Sequence, residues 1–175
     1  VKLRYYQVDC VKETMSSLKT QSRILNILPT GAGKTVIMNA LLDEIGDECK
    51  ETRDENILVL CHLKDIGIKN KLSYDDNGKH QATYMAGREY PSDQDIVVYS
   101  SMQSAASETR LNRMEERTRR RPAYIIIDEV HLFGCRSYDL IAERYPDAKI
   151  IGFTATPFRE NKNSISLFDT VAYSI

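Results

Sequence analysis

Residues 24–45 constrain the fold more than any other stretch, because an apolar run passes through a glycine-rich turn into residues with helical spacing. Ile24-Leu25-Asn26-Ile27-Leu28 reads as a buried strand, and Ile37, Ala40, Leu41 and Ile45 form the stripe of an amphipathic helix. Between them stands Pro29-Thr30-Gly31-Ala32-Gly33-Lys34-Thr35. Gly31 and Gly33 allow positive φ and turn backbone N–H groups inward, where they and a helix N-terminus attract anions. Lys34 adds a point charge suited to β- and γ-phosphates, and the Thr35 hydroxyl is a hard ligand for Mg²⁺ beside phosphate oxygens. Leu28 departs from the pattern G-x-x-x-x-G-K-[ST], which has glycine there. An ordinary turn between strand and helix needs neither Lys34 nor Thr35, so the expected ligands are ATP and Mg²⁺.

A second element fits the first. Ala123-Tyr124-Ile125-Ile126-Ile127 reads as a strand buried on both faces, and it ends in Asp128-Glu129-Val130-His131. Carboxylates at the C-terminal end of such a strand emerge where open α/β sheets bind ligands. Asp128 is expected to hold Mg²⁺ through its water shell, and Glu129 to orient and deprotonate the attacking water. Standing alone, an acidic pair after a strand is a helix cap; after a phosphate loop it reads as catalytic. Lys34 and Asp128 are therefore expected to meet across neighbouring strand ends.

With these motifs the chain resembles the superfamily 2 helicases and translocases. Asp128-Glu129-Val130-His131 is similar to their Asp-Glu-x-His motif, and Thr154-Ala155-Thr156, followed by Pro157-Phe158-Arg159, to their Thr-Ala-Thr-Pro-x-Arg form. Leu3-Arg4-Tyr5-Tyr6-Gln7 resembles the Leu-Arg-Pro-Tyr-Gln element that recognises adenine, with Tyr5 in place of proline. A glutamine amide can pair with adenine N6 and N7, and an aromatic ring nearby can stack. Unsupported, Gln7 would read as a polar residue on an amphipathic helix with Val8, Val11, Met15 and Leu18 inside. The resemblance runs from Leu3 to about Tyr173 and is strongest to the branch holding XPB-type repair helicases and restriction-enzyme motor subunits, which act on duplex DNA.

The remaining chain agrees with one domain. At 175 residues, 42% hydrophobic and 28% charged, it suffices for a single core. Apolar strands are expected at residues 24–28, 57–61, 82–85, 96–99, 124–127 and 150–153, separated by helices and loops. Such βα repetition implies an α/β fold, a mainly parallel sheet with helices on both faces, which the resemblance names RecA-like. Asp75-Asp76-Asn77-Gly78 reads as a turn and residues 88–95, with Pro91, as a loop. Cys10, Cys49, Cys61 and Cys135 lack metal or redox spacing, and no apolar run suits a membrane span or export signal. Reduced thiols and a cytoplasmic or nuclear location are expected.

Nucleic acid is the expected partner, DNA before RNA, although the net charge is −1 and the pI near 6.4. Arginines at 110, 113, 117, 119, 120 and 121 form a dense basic stretch that reads either as a backbone-tracking patch or as a solvated face, with Glu115 and Glu116 pairing to Arg119 and Arg120. By resemblance the strand contacts fall on His62 and Lys64 and on Ser101 and Gln103; Ser101 reads equally as a helix cap. Hydrogen bonds among His131, Thr154 and Thr156 are expected to couple nucleotide state to the nucleic-acid face. A small-molecule kinase, an RNA helicase domain and a non-catalytic interaction module are the alternatives. In the resembled family a second RecA-like domain supplies arginine fingers, worth roughly 10³ to 10⁵ in rate. The chain, beginning at Val1 and stopping at Ile175, reads as the first motor domain of a longer protein or a trimmed product, weakly active alone.

Overall fold

The computed structural model describes residues 2–62, 80–84, 91–156 and 168–175. Strands β1 (Arg23–Ile27), β2 (Glu55–Cys61), β3 (His80–Thr83), β4 (Asp95–Ser101), β5 (Arg121–Ile127), β6 (Lys149–Thr154) and β7 (Thr170–Ser174) form one sheet. The helices are α1 (Tyr5–Ser17), α2 (Lys34–Thr52), α3 (Met102–Ala105), α4 (Glu108–Thr118) and α5 (Cys135–Arg144), with a 3₁₀ turn at Val130–Leu132. The strand order is β3-β4-β2-β5-β6-β1-β7, and every pairing is parallel.

Alternation along the strands divides the core in two. Ile24, Leu28, Ile57, Val59, Val97, Tyr99, Ile126, Ile151 and Phe153 face one layer, where Val11 and Leu18 at α1 and Ile37, Leu41 and Ile45 of α2 pack on them. Leu25, Leu58, Leu60, Val98, Ile125, Ile127 and Ile150 face the other, covered by Leu111 and Met114 of α4 and Tyr138 and Ile141 of α5. The period of two that sends neighbouring side chains to opposite faces thus feeds two helical layers, as a parallel sheet requires. Asn26 interrupts the apolar run of β1, and its Oδ1 accepts a hydrogen bond from Thr14 Oγ1 of α1 at 3.2 Å.

All six expected strands are present: β2, β4, β5 and β6 are longer than expected, and β1 keeps its length but begins one residue earlier. The third occupies His80–Thr83 and not residues 82–85, and Met85 lies outside the described residues, as do the turn at residues 75–78 and residues 88–90 of the loop. β7 was not legible: it is a half-exposed edge strand, so no continuous apolar run marks it. One expectation about the sheet needs correction. β1 and β5 are not neighbours; β6 lies between them and pairs with both.

Candidate nucleotide site

Because all seven strands run the same way, their C-terminal ends lie on one edge of the sheet. That edge gathers the turn after β1, His62 after β2, Ser101 at the end of β4, Asp128 after β5 and Thr154 at the end of β6. Gly31 has φ of 83° and Gly33 of 76°, the left-handed conformations that glycine adopts without strain. They turn the chain from β1 into α2, whose first residue is Lys34 and whose N-cap, Gly33, has no side chain to offer the first turn. The first turn of this 19-residue helix contains no acidic residue of its own, and its positive end opens onto the loop.

Lys34 Nζ donates to Glu129 Oε1, an ion pair between side chains that are 12% and 24% exposed. Lys34 was expected to meet Asp128; the acid that touches it is the next residue, Glu129, reached across the width of β6. Its backbone makes this possible. Glu129 sits at φ 55° and ψ 58°, a left-handed turn uncommon outside glycine, before the 3₁₀ turn begins. Asp128 stays at the strand end, buried, with its N–H donated to Leu60 O at 3.0 Å.

His131 Nδ1 lies 3.0 Å from Thr154 Oγ1 and 3.4 Å from Glu129 Oε2. Thr154 Oγ1 also accepts from Thr156 N at 3.3 Å, so the three residues expected to act together form one chain of contacts from Glu129. Gly152 makes the approach possible. A Cβ there would stand 2.7 Å from Val130 Cγ2 and 2.6 Å from Phe168 Cζ, so the acidic turn rests directly on β6.

The family model for the type III restriction enzyme res subunit matches residues 1–159. The chain belongs to that family. No curated protein matches it in sequence. Among solved structures, a nuclease-deletion mutant of the Type ISP restriction-modification enzyme LlaGI, in complex with a DNA substrate mimic, aligns with a TM-score of 0.75 at 16% identity over 100% of this chain and 20% of its own. The SWI2/SNF2 ATPase core of Sulfolobus solfataricus in complex with dsDNA gives 0.64 at 22% identity, over 94% of this chain and 34% of its own. The UvsW helicase from bacteriophage T4 gives 0.69 at 17% identity, over 99% and 60%. The fold is therefore RecA-like α/β, and this res-family chain spans less than two thirds of each of those structures.

In this member of the res family, Arg4 caps α1, and Gln7 is 5% exposed with its side chain turned toward the glycine-rich turn. Gln7 Nε2 and the Tyr6 hydroxyl both donate to Ala32 O, at 3.1 and 3.0 Å. Tyr6 was missed by sequence reasoning, although it stands beside Gln7 in the motif. Tyr5 is 82% exposed, its ring edge-on to Tyr6.

The expected nucleic-acid residues are treated unequally. Ser101 is 8% exposed and its Oγ accepts from Ser104 N at 3.2 Å, so the capping alternative is the one observed. Gln103 is exposed, and His62 is exposed with its ring 6.2 Å from that of Phe133. Lys64 and residues 157–159 lie outside the described residues.

The basic stretch needs correction. Glu115 pairs with Arg144 and not with Arg119 or Arg120. Arg120 donates to the carbonyls of Asp93, Cys49 and Glu55, joining the end of α2 to the start of β2, and Arg121 lies over the Tyr145 ring at 5.3 Å. Both sit at the entry end of β5. Seven residues of strand put them about 23 Å from Asp128, on the far edge of the sheet. Arg110 instead reaches Ser104 Oγ at 2.9 Å.

Proposed function

We propose that this chain is the ATP-binding first motor domain of a nucleic-acid-dependent ATPase, a helicase or translocase working on duplex DNA. The observation that carries the reading is the contact between Lys34, at the exit of a turn built on two left-handed glycines, and Glu129 at the end of β5. Residues 29–35 would wrap the triphosphate with backbone N–H groups and the opening of α2. Thr35 and Asp128 would hold Mg²⁺. No cluster of three His, Cys, Asp or Glu side chains suited to a metal occurs among the described residues, which fits an ion brought in on phosphate oxygens. When bound, the ion neutralises charge on the β- and γ-phosphates.

The chain's own residues then divide the work. Lys34 leaves Glu129 for the phosphates, because the incoming anion carries more charge than one carboxylate. Glu129, released, accepts the proton of the attacking water. His131, held between Glu129 and Thr154, registers that change and passes it to the strand that ends in Thr154. DNA rather than RNA is supported by family membership and by two structural neighbours in complex with DNA or a DNA mimic. His62 and Gln103, both exposed, would contact the strand, and Lys64 is added to them on the resemblance alone.

Titration of this chain with Mg·ATP tests the first step. Saturable binding should appear and should weaken at least tenfold in Lys34→Ala, the loss expected when a charged hydrogen bond to phosphate is removed. Equal binding by both chains would reject the site. Turnover by the full-length parent with duplex DNA, single-stranded DNA and RNA separates the substrates, and stimulation by RNA alone would overturn the DNA assignment.

A further inference from the structure

We infer that Phe168 is a positioning residue for the acidic turn, holding Glu129 against Lys34. The inference rests on the nucleotide-binding reading above, and the family model ends at residue 159, short of Phe168. Glu129 occupies the left-handed region, a conformation that a residue with a side chain keeps only where its surroundings hold it. The 3₁₀ turn supplies part of that hold: Leu132 N donates to Glu129 O at 2.9 Å, and Phe133 N to Val130 O at 3.1 Å. Val130 supplies the rest. It follows Glu129 directly and is buried, so the turn can shift only if this side chain has somewhere to go.

Phe168 closes that space. Gly152 leaves the face of β6 bare, and a Cβ there would meet Val130 Cγ2 at 2.7 Å and Phe168 Cζ and Cε1 at 2.6 and 2.8 Å. The valine methyl and the edge of the phenyl ring therefore fill one position together, and neither can advance while the other stays. The ring is itself fixed from two sides. It lies 5.9 Å from the ring of Tyr138, a buried residue of α5. Its neighbour Asp169 is tied to the chain entering β1: Oδ2 accepts from Ser22 N at 3.2 Å and Arg23 N at 3.0 Å, and Asp169 N donates to Arg23 O at 2.7 Å. Asp128 does not depend on this contact, because its N–H is donated to Leu60 O of β2. Loss of the ring thus frees Glu129 and leaves the acid before it in place.

Phe168→Ala and the milder Phe168→Leu test this, each made in the unaltered chain and together with Glu129→Gln. A freed Glu129 holds Lys34 less, so Phe168→Ala should tighten Mg·ATP binding roughly two- to threefold, and should change nothing once Glu129→Gln has removed the charge. Without ligand, hydrogen exchange at Leu132 and Phe133 should quicken more than at Val97, Val98 and Tyr99 of β4, which report on the fold as a whole. In the full-length parent, Phe168→Ala should lower kcat about ten- to a hundredfold with no rise in KM for ATP, the mark of a displaced base. Should the alanine chain not fold, the leucine chain carries the same comparisons. An equal factor in binding with and without the Glu129 charge, or exchange in the turn that quickens no more than in β4, would leave Phe168 as packing alone and overturn the inference. Quickened exchange in the turn of a chain that binds no nucleotide would uphold the hold on the turn and reject the nucleotide site.

Discussion

Single side chains decide the chemistry, and the pair at the centre of the site is Lys34 with Glu129. Its two partners are each less than a quarter exposed, so the pair lies toward the upper end of the 0 to about 1 kcal/mol that partly screened ion pairs contribute. That contribution opposes nucleotide binding, because Lys34 must leave the carboxylate to reach phosphate. Glu129→Gln keeps the size of the side chain and removes its charge. Binding of ATP should tighten by roughly three- to fivefold, while turnover in the parent protein falls by about 10² to 10⁴ with the loss of the general base. Equilibrium titration and steady-state rates measure the two effects separately; weaker binding would show that Lys34 does not wait on Glu129. At this scale the sequence was legible where chemistry demands a residue type at a fixed offset, as with Gly31, Gly33 and Lys34. It was not legible for Gln7, whose partner Ala32 is set by how α1 lies against a turn 25 residues away.

Elements carry those side chains to one edge, and the sharpest constraint among them is the contact of the acidic turn with β6. Val130 and Phe168 close over Gly152 with no room for a methyl group. Gly152→Ala must displace both, and overpacking of this kind costs roughly 1 to 3 kcal/mol, readable as a lower urea midpoint. Because the two residues share one contact, Val130→Ala added to Gly152→Ala should cost less than the separate changes combined. Strict additivity would mean that the turn does not rest on the strand. Strands buried on both faces were legible from their apolar runs, whereas β7 was hidden by its polar, half-exposed edge position. The basic stretch, read either as a backbone-tracking patch or as a solvated face, hid the places of its last two arginines for a related reason. Charge density along a chain does not say which end of a sheet receives it, and Arg120 and Arg121 are consumed by carbonyls and an aromatic ring at the end far from Asp128.

The whole molecule's response to pH follows from what its two-layer core encloses. Cys10 and Cys49 are fully buried, and burial raises their thiols from 9.0 to about 11 and about 12, with the Glu55 and Glu48 charges adding to the rise at Cys49. Burial likewise raises Tyr138 and Tyr145 from 10.0 to about 12. These groups remain protonated in the fold at a pH where the unfolded chain has begun to release their protons. The unfolded state then binds fewer protons than the folded one, so stability falls as pH rises. Their contribution is complete below about pH 9 and is lost progressively toward pH 12, first through the cysteines and then through the tyrosines. Linkage puts the loss from the two cysteines at roughly 1 to 2 kcal/mol between pH 9 and 10, a sizeable share of the about 5 to 15 kcal/mol that holds an ordinary domain together. Urea unfolding under reducing conditions at pH 8, 9 and 10 should show that decline. Cys49→Ala lowers the stability at pH 8 by leaving a cavity, yet it should make the decline with pH shallower, because one of the groups that titrate on unfolding is gone. Equal slopes in the two chains would mean that the Cys49 thiol titrates as freely in the fold as outside it.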